Sequence, residues 1–533
     1  MNGDSNAAAE LKKQVDARIK EEEQGAPPPP EKKESELPID FLKTCLYGNR
    51  IGDANLYAAM FRRQFIFVER WGRWLRWQGH HWGEDINSRH ALAAIERVCE
   101  QYQRILADVA SDSDEAKMVR KRLNVLRDKA GRDNLLECAA TIDEPLCIEG
   151  GENLDKQEYL LACPNCVIDL RTGESSPGRP DQYILNACPT EWKGLAPSQK
   201  FLDFLHSCFD GDKEMVAYIL RLLGYGLLGM RDDHIWVIFH GPRGRNGKDT
   251  LMKIIFKVLG RALAIKIPTA MLLQQTFQRS GSQPEPDIMS LRGAKMAFAS
   301  EAEAGQKIAM SKLKDLTGGS IITARGLNDK LMTSWEQTHL LFFMTNELPK
   351  MRSDDDAYWQ RLHAVHWPIR FVDDPKDPDE RKRDPHMAAS LKEDPSGILA
   401  CLVHGCMDYL AHGLNPPEKV LAYTKEQRDN FDDIGQFLTD ACILEKPPHG
   451  TGWQTRTAAA YFVAVCNWWL KQTFGNNYEY SAKRVTQTLG KKGIVSKKSN
   501  VMYYQGVDIK SDVQAEYEAA KEEEDNKPSR RWS

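Results

Sequence analysis

Residues 234–250 read HIWVIFHGPRGRNGKDT. The first seven form a short β-branched and aromatic run, which is typical of a buried strand in a parallel sheet. The glycines that follow let backbone N–H groups curl around a phosphate, and the helical pattern of 251–259 directs a helix N-terminus at the same point. A strand, a glycine-rich loop and a helix in this order predict an α/β fold with a parallel sheet and a phosphate-binding loop.

The loop departs from the usual phosphate-loop spacing in two places. Pro242 stands where a strict pattern requires glycine, and Asp249 follows the lysine where Ser or Thr is usual, with Thr250 one position late. The Asp249 carboxylate can ligate Mg²⁺, because hard cations take oxygen ligands; a weakened metal site is the alternative, and so is a plain glycine-rich turn. We predict that the nucleotide is bound by Gly241, Gly244, Asn246, Gly247, Lys248, Asp249 and Thr250.

Two later apolar runs end in polar side chains. Residues 294–303 (AKMAFASEAE) deliver Glu301 and Glu303 to a strand end, which in an open α/β sheet lies beside the phosphate loop. One carboxylate can hold magnesium and the other can orient or deprotonate the attacking water, although acidic residues at strand ends are often only solvated. Residues 339–346 end in Asn346, whose amide can bridge the γ-phosphate and the water or simply begin a turn.

Arg361 follows two aromatic residues, Tyr358 and Trp359. An arginine anchored in this way can reach the γ-phosphate of a neighbouring subunit and stabilise the charge of the transition state. Most arginines, however, form surface ion pairs that contribute little. The position becomes informative only with the other motifs.

Taken together, these motifs resemble those of superfamily 3 helicases, specifically the ATPase half of phage, plasmid and poxvirus primase-helicases. The supporting segments, in chain order, are 244–249 (GRNGKD), 300–303 (SEAE), 314–319 (KDLTGG) with 322–325 (ITAR), 344–349 (MTNELP) and 359–362 (WQRL). The resemblance implies an AAA+-like ATPase core, a hexameric ring, ATP and Mg²⁺ as cofactors, and ATP-driven movement along single-stranded DNA.

Carried over residue by residue, the resemblance gives each motif a role. Lys248 binds the β- and γ-phosphates, Glu301 and Glu303 serve magnesium and water, Asn346 is the sensor, and Arg361 is the arginine finger in trans. The predicted metal ligands are Asp249 and Glu301.

Two regions are predicted to contact DNA. In that family the segment at 317–330 includes a hairpin that points into the central pore, so Arg325 and Lys330 are expected to meet the DNA backbone. Residues 458–470, 482–489 and 501–509 suggest two helices and a strand of a winged helix. Its cationic cluster is predicted to contact duplex or forked DNA and comprises Lys483, Arg484, Lys491, Lys492, Lys497 and Lys498. For both regions a solvated charged surface is the alternative.

We call the predicted helicase domain, residues 196–385, the motor. The region before it is rich in aromatic residues. Trp71, Trp74, Trp77 and Trp82 lie around Gly72 and Gly79 and predict short strands with hairpin turns. Clustered tryptophans usually belong to a core, and base stacking is the alternative. A helix is predicted over 91–106 and paired helices over 200–230. Segments 53–56, 74–77, 79–82 and 165–173 resemble the accessory domain that precedes the helicase in this family.

Six regions are predicted along the chain: a disordered arm (1–37), a mixed α+β N-terminal accessory domain (38–195), the helicase domain with an N-terminal helical collar (196–385), a helical connector (386–440), a winged-helix-like domain (441–512) and an acidic tail (513–533). A loop or hinge is expected over 373–395. The arm, which a short solvated helix would also explain, cannot supply the primase-polymerase domain with which family members often begin. We therefore expect any primer synthesis to come from a separate primase or polymerase.

Composition sets limits on the class of protein. With 41% hydrophobic and 28% charged residues the chain has the composition of a globular protein. The net charge of −4 excludes a uniformly basic nucleic-acid coat but permits a basic channel. The sequence contains neither an apolar run long enough for a bilayer nor a signal peptide, which predicts a cytoplasmic protein without a membrane partner.

The 12 cysteines are scattered, which indicates a reducing compartment. Cys163 and Cys166 form a CxxC pair, with Cys138 and Cys147 upstream as conceivable zinc ligands. This spacing matches no regular two-pair ribbon, so a strand–turn is the favoured interpretation and structural zinc the alternative.

The sequence thus predicts an ATP-dependent hexameric DNA helicase that acts on single-stranded and forked DNA in the replication of a phage, plasmid or other mobile element. A nucleotide-gated origin-binding or scaffold ATPase that does not unwind DNA is the alternative. Pro242 and Asp249 keep it open, because a weakened metal site would slow hydrolysis.

Overall fold

A computed structural model describes residues 37–149, 154–229, 231–274, 284–301, 306–327, 332–445, 453–475 and 479–525. Of the predicted arm and tail, residues 1–36 and 526–533 lie outside this part of the chain. Within it, no helix is both long and apolar enough to cross a membrane.

The N-terminal unit packs helices against a small mixed sheet. Its elements are α1 (Ile39–Tyr47), α2 (Asn49–Phe61), β1 (Phe65–Val68), β2 (Arg73–Trp77), β3 (Trp82–Glu84), α3 (Arg89–Ala93), α4 (Ile95–Asp108), α5 (Asp114–Arg127), α6 (Lys129–Ala139) and β4 (Cys147–Ile148). The strand order is β3-β2-β1-β4. On α4, Ile95, Val98, Tyr102 and Ile105 are fully buried at helical spacing. The helix predicted over 91–106 is therefore present, divided at Ala94.

The tryptophan-rich segment forms a hairpin. Gly72 and Gly79 adopt φ of +61° and +91°, the left-handed conformation that glycine tolerates best. Trp74 and Trp82 are only 5% and 1% exposed. For these two rings the core interpretation is confirmed, because a buried ring has no face to offer a base.

A second small sheet joins this unit to the motor. It contains β5 (Leu160–Ala162), β6 (Val167–Asp169) and β7 (Ser175–Ser176), all antiparallel. Cys163 and Cys166 form the β5–β6 turn, in which the Cys163 N–H donates to the Cys166 carbonyl at 2.8 Å. Both thiols are free and buried, and Cys138 and Cys147 are also free.

A parallel sheet forms the centre of the motor. The elements of this region are α7 (Gln199–Cys208), α8 (Lys213–Tyr225), β8 (Trp236–His240), α9 (Lys248–Leu263), β9 (Ala264–Lys266), α10 (Pro286–Met289), β10 (Met296–Ser300), α11 (Met310–Thr317), β11 (Ile321–Ala324), β12 (Thr333–Glu336), β13 (Leu340–Thr345), α12 (Asp356–Trp359), β14 (Leu362–His366), β15 (Arg370–Val372) and β16 (Glu380–Lys382). Five strands pair in the order β14-β8-β13-β10-β9, all parallel, so the predicted parallel sheet is confirmed.

Each central strand is buried on both faces. Val237 and Phe239 of β8 join a core with α7, α8 and α9, whereas Trp236 and Ile238 join a second core with α11 and the β11–β12 hairpin. A strand covered on both sides must be apolar at every position, which explains the continuous hydrophobic run in the sequence.

The prediction of a loop or hinge over 373–395 is wrong in part. This stretch contains β16, which pairs in parallel with β15, and the short helix α13 (Met387–Leu391). Arg243 of the phosphate loop forms ion pairs with Asp377 and Asp379, and Arg370 pairs with Glu380 at 3.3 Å. Three of the carboxylates that suggested a solvated hinge therefore pair with arginines outside the stretch.

Helices connect the motor to the C-terminal unit. They are α14 (Pro395–His412), α15 (Glu418–Asn430) and α16 (Asp433–Ala441). Leu399 and Leu402 of α14 belong to the motor core, and α15 packs against β14, where the Ala364 N–H donates to Thr424. Phe437 of α16 instead belongs to the core of the C-terminal unit.

The C-terminal unit combines helices with short antiparallel strands. Its elements are β17 (Cys442–Leu444), β18 (Arg456–Ala458), α17 (Ala459–Phe474), α18 (Ala482–Lys491), β19 (Val495–Lys498), β20 (Met502–Gln505), β21 (Val507–Ile509) and α19 (Ser511–Asp525). The two predicted helices are present, and the predicted strand over 501–509 is divided at Gly506, where φ is +77°. Val513 of α19 is buried in this core. The predicted borders at 440/441 and 512/513 therefore cut through one packed core, and the winged-helix assignment stays a prediction.

Candidate nucleotide-binding site

A cavity of about 850 Å³ opens at the C-terminal ends of β8, β10 and β13. The phosphate loop and the first turn of α9 line the cavity, and so do residues of β16 and of the segment that follows it. A cleft at the carboxyl ends of parallel strands is where open α/β sheets bind ligands.

The glycines of the loop occupy positions where another residue would be strained or would clash. Gly244 and Gly247 have φ of +65° and +90°. A Cβ on Gly247 would stand 2.8 Å from the Cys208 sulfur of α7. The Gly241 N–H donates to the Thr345 carbonyl at 3.1 Å, which fixes the loop to the end of β13. The N-terminus of α9 therefore faces the cavity with its first N–H groups available to an anion.

Lys248 is held by three oxygen acceptors. Its Nζ lies 3.0 Å from Asn246 Oδ1, 3.1 Å from Asn346 Oδ1 and 3.4 Å from the Gly241 carbonyl. The side chain is buried, and burial lowers the pKa of its ammonium to about 8, although the carboxylates of Asp249 and Glu301 oppose this shift. The structure thus brings the predicted sensor into direct contact with the predicted phosphate-binding lysine.

Asn246 uses its whole side chain to place that lysine. Its Nδ2 donates to the carbonyls of Trp367 and Ile369, both at 3.1 Å, while its Oδ1 accepts from Lys248. The residue is only 3% exposed. Asn246, predicted to bind the nucleotide, lines the cavity and also links the lysine to the chain that leaves β14.

Side-chain oxygens that can bind a cation also line the cavity. Asp249, Thr250 and Glu301 line the cavity. Glu301 adopts φ of +61°, and its N–H donates to the Met344 carbonyl at 2.9 Å; such strain is often found at functional sites. Glu303 lies outside the described residues.

These donors fit a hard cation such as Mg²⁺, which usually keeps several waters and takes substrate phosphates as ligands. The part of the chain that is described holds no group of three or more His, Cys, Asp or Glu residues that could by themselves bind a metal ion. The oxygens of Asp249 and Glu301 would therefore hold the ion together with phosphate oxygens and water.

His240 connects this site to α15, a link that sequence reasoning missed. Its Nδ1 lies 2.5 Å from the Tyr423 hydroxyl, and its Nε2 lies 3.2 Å from the Asn346 carbonyl. Burial lowers the pKa of His240 to about 4, so the ring is neutral at pH 7. Because a carbonyl can only accept, Nε2 carries the proton and Nδ1 accepts from the tyrosine. The sequence showed His240 only as the last residue of a strand and gave no sign of its two ring contacts.

Sequence analysis also missed a run of three basic residues at the cavity. Arg381, Lys382 and Arg383 line the cavity, and Arg381 forms an ion pair with Asp210 after α7. The sequence placed these residues in a hinge because β16 has only three residues and no apolar periodicity.

Arg361 lies at the N-terminal end of the parallel strands, whereas its own phosphate loop lies at their C-terminal end. It immediately precedes β14, and its carbonyl accepts from the Trp236 N–H at 2.9 Å, whereas the cavity opens beyond His366 and His240. Trp236 and His240 are four strand steps apart, or about 13 Å at ~3.3 Å per residue, and Arg361 lies one residue before the Trp236 level. Arg361 and Lys248 are therefore not brought together within one chain.

The predicted DNA-contacting residues are dispersed. Arg325 follows β11, and its carbonyl accepts from the Glu285 N–H at 2.9 Å; Lys330 lies outside the described residues. Lys483 is exposed on α18. Arg484 lies over the Tyr480 ring at 3.9 Å.

The remaining residues of the C-terminal cluster divide in the same way. Lys491 donates to the Asp354 carbonyl, and Lys492 forms an ion pair with Asp432. Lys497 and Lys498 are exposed on β19. Part of the predicted cluster is therefore engaged within the chain, and part faces solvent.

Part of the chain matches a known family model. Residues 54–210 match the family model described as D5 N terminal like. The chain carries a D5 N terminal like domain. This domain runs from α2 past the end of α7, so it includes the tryptophan hairpin and ends shortly before the phosphate-loop strand.

The relatives extend the likeness into the motor. The chain is 27% identical over 402 residues to the "Putative helicase L207/L206" of Acanthamoeba polyphaga mimivirus, covering 70% of this chain and 41% of that protein. It is 26% identical over 297 residues to the "Putative helicase 022R" of Frog virus 3, covering 53% and 29%. With the D5 N terminal like domain, these matches confirm the resemblance to the helicase portion of viral primase-helicases.

The chain spans less than half the length of each of the two relatives. Among solved structures, "The A form apo structure of NrS-1 C terminal region-CTR" matches with a TM-score of 0.37 and 14% identity, over 58% of this chain and 68% of that one.

Proposed function

We propose that this chain is an ATP-dependent DNA helicase that forms a hexameric ring and translocates on single-stranded DNA in the replication of a virus, phage, plasmid or other mobile element. The observation that carries the proposal is the contact between Lys248 and Asn346. Lys248 begins the helix after the loop that follows β8, and Asn346 follows the adjacent parallel strand β13. The names of the viral relatives support it. In this proposal the motor is an AAA+-like core, and the C-terminal unit serves as a winged-helix-like DNA-binding domain.

Within one subunit, the site prepares ATP for attack by water. Lys248 leaves its oxygen partners to bind the β- and γ-phosphates, because a phosphate offers full negative charge where the amides offer only dipoles. Asn346, released by the lysine, is then free to orient the attacking water or the γ-phosphate. Mg²⁺ bound by Asp249 and Glu301 would neutralise developing charge on the phosphate oxygens. Glu303 is proposed as the second carboxylate, which orients the water.

A neighbouring subunit completes the site. Because Arg361 lies about one strand length from its own phosphate loop, we propose that it serves the cavity of another copy. An arginine finger stabilises the transition state and contributes a factor of about 10³ to 10⁵ in kcat. We therefore propose that hydrolysis occurs at the seam between subunits.

Mixing two inactive variants tests the shared site. Ring subunits carrying Arg361→Ala are mixed with subunits carrying Lys248→Ala, and ATPase activity is measured across mixing ratios. Some interfaces then pair an intact lysine with an intact arginine, so partial recovery is expected. Failure to recover at every ratio, with mixed rings verified by mass, contradicts a finger in trans.

An unwinding assay tests the function as a whole. The wild-type protein is given Mg²⁺, ATP and forked duplexes with a 5′ or a 3′ single-stranded tail, and strand separation is followed. We expect unwinding with one tail polarity and ATPase activity that single-stranded DNA stimulates. Hydrolysis without strand separation on any fork would favour the non-unwinding ATPase, and absence of hydrolysis would overturn the nucleotide site.

A further inference from the structure

Three consecutive carboxylates precede Arg361. We call Asp354, Asp355 and Asp356 the acidic segment, and its first member pairs with Arg352 beside it at 2.7 Å. Asp356 pairs with Arg428 of α15. Ion pairs therefore help to fix the loop that leads to Arg361, in addition to the burial of Met351, Tyr358 and Trp359 in the core beside α11.

Asp355 is attached to two elements at once. Its carboxylate accepts from Lys314 Nζ of α11 at 2.7 and 2.9 Å. The same carboxylate caps α12 by accepting from the Tyr358 N–H at 3.3 Å. The side chain of Asp355 is 23% exposed, so water screens this pair only in part. Because α12 ends two residues before Arg361, the position of Asp355 sets the start of the turn that carries the arginine.

Lys314 belongs to the element that leads into the β11–β12 hairpin. Its helix α11 ends at Thr317, and Gly318 and Gly319 join it directly to β11. A Cβ placed on Gly318 would stand 3.3 Å from Arg361 Nη1. The base of the hairpin thus lies beside the Arg361 guanidinium and, through Lys314, is joined to the helix that precedes the arginine.

We propose that the Lys314–Asp355 ion pair positions Arg361 and couples the β11–β12 hairpin to it, so that a DNA strand that displaces the hairpin changes the arginine's reach into the neighbouring site. This inference rests on the proposed function, since it takes the hairpin as a DNA contact and Arg361 as the finger. Lys314 and Asp355 are positioning residues, because neither lines the nucleotide cavity. The pair is a direct charge contact between α11 and the cap of α12.

The same segment offers a matched control. Asp356 also forms an ion pair with a basic side chain, but its partner Arg428 lies on α15, which packs against β14 rather than leading to the hairpin. Removing the charge of Asp356 therefore perturbs the same loop without touching the link to the hairpin.

The experiment uses the full chain and compares ATPase kcat and KM with and without a single-stranded oligonucleotide. The substitutions are Asp355→Asn, which keeps a good helix cap while removing the charge, and Lys314→Met, with Asp356→Asn as the control. We expect stimulation by DNA to fall about fivefold or more in the first two variants, a size typical of coupling between sites. Stimulation in the control should stay within about twofold of wild type, as expected for an exposed pair.

A double variant separates coupling from general damage. Combining Asp355→Asn with Lys314→Met should reduce stimulation no further than either change alone, because both remove one interaction. Two merely destabilising changes, by contrast, would add.

Other results decide against the inference. Wild-type stimulation in Asp355→Asn, or an equal loss in Asp356→Asn, overturns it. A wild-type enzyme that hydrolyses ATP without any response to DNA also overturns it but leaves the nucleotide site standing. A wild-type enzyme that hydrolyses no ATP overturns the proposed function itself.

Discussion

The phosphate loop and the C-terminal basic cluster were both predicted from charged residues at suggestive spacing, yet the structure treats them differently. Lys248 is buried among acceptors from its own loop and from the end of β13. In the C-terminal unit, Lys483 faces solvent, while Lys491 and Lys492 contact Asp354 and Asp432. The spacing of residues in a short loop motif predicts its conformation, whereas the sequence of a surface cluster does not predict which carboxylates its lysines will contact.

Removing the lysine of the phosphate loop should have the largest effect. Lys248→Ala is expected to lower kcat for ATP hydrolysis by about 100-fold or more, the scale found when one charge-stabilising donor is lost. Lys257→Ala, on the exposed side of the same helix, is the control and should retain activity. Near-normal hydrolysis by Lys248→Ala would make the buried lysine no more important than a surface one and would erase the contrast between the two regions.

Removing the support of that lysine should have a smaller effect. Asn246→Ala leaves the carbonyls of Trp367 and Ile369 without a donor, at a cost of about 1–3 kcal/mol in the free energy of unfolding. Lys248 also loses one acceptor, and we expect kcat/KM for ATP to fall about tenfold, the equivalent of ~1.4 kcal/mol. Thermal unfolding with steady-state kinetics measures both. A variant that loses stability but keeps its kcat/KM would show that Asn246 serves only the fold.

The pH dependence of ATP use follows from the buried ammonium. Burial lowers the pKa of Lys248 to about 8, and phosphate binding requires the charged form. We therefore expect kcat/KM, which reports the free enzyme, to fall as pH rises through about 8. Lys248→Arg stays charged in this range, so its kcat/KM, although lower, should not show that fall. A wild-type profile that is flat from pH 7 to 9 would contradict a titrating lysine.

The same shift has an opposite sign for stability. The unfolded chain holds the lysine proton up to the ordinary value of 10.5, whereas the folded chain releases it near 8. Between these pH values the unfolded state binds more protons, so the contribution of Lys248 to the free energy of unfolding increases with pH.

Charge changes in the C-terminal unit should have the smallest effects and would sharpen the comparison. Lys483→Gln removes an exposed cation, and if it contacts phosphate it should weaken DNA binding and reduce the salt dependence of the affinity by about one unit of slope. Lys492→Gln breaks the contact with Asp432 and should change the affinity less. Fluorescence anisotropy with forked DNA over a series of salt concentrations measures both. Equal effects would show that the ion pair opens when DNA binds.

Local pattern was a sound guide wherever one segment contains the whole signal. The apolar run ending at His240 could only be a strand buried on both faces, and Gly244 and Gly247 were needed for a loop with positive φ. The tryptophan hairpin and the helix predicted over 91–106 were found for the same reason, whereas α1, α2, α5 and α6 were not predicted. By contrast, 373–395 was misread, because its charges looked solvated until Arg243 was seen to pair with Asp377 and Asp379.

The sequence alone determined the order of strand, loop and helix at the phosphate loop, and the identity of Lys248, because these depend on neighbours within a few residues. Only the tertiary structure decided that Asn246 holds the lysine, that His240 reaches Tyr423, and that Asp355 binds Lys314. Such contacts join segments 40 or more residues apart or depend on a side-chain rotamer. Several carboxylates and amides would satisfy each donor equally well, and chain packing alone selects among them.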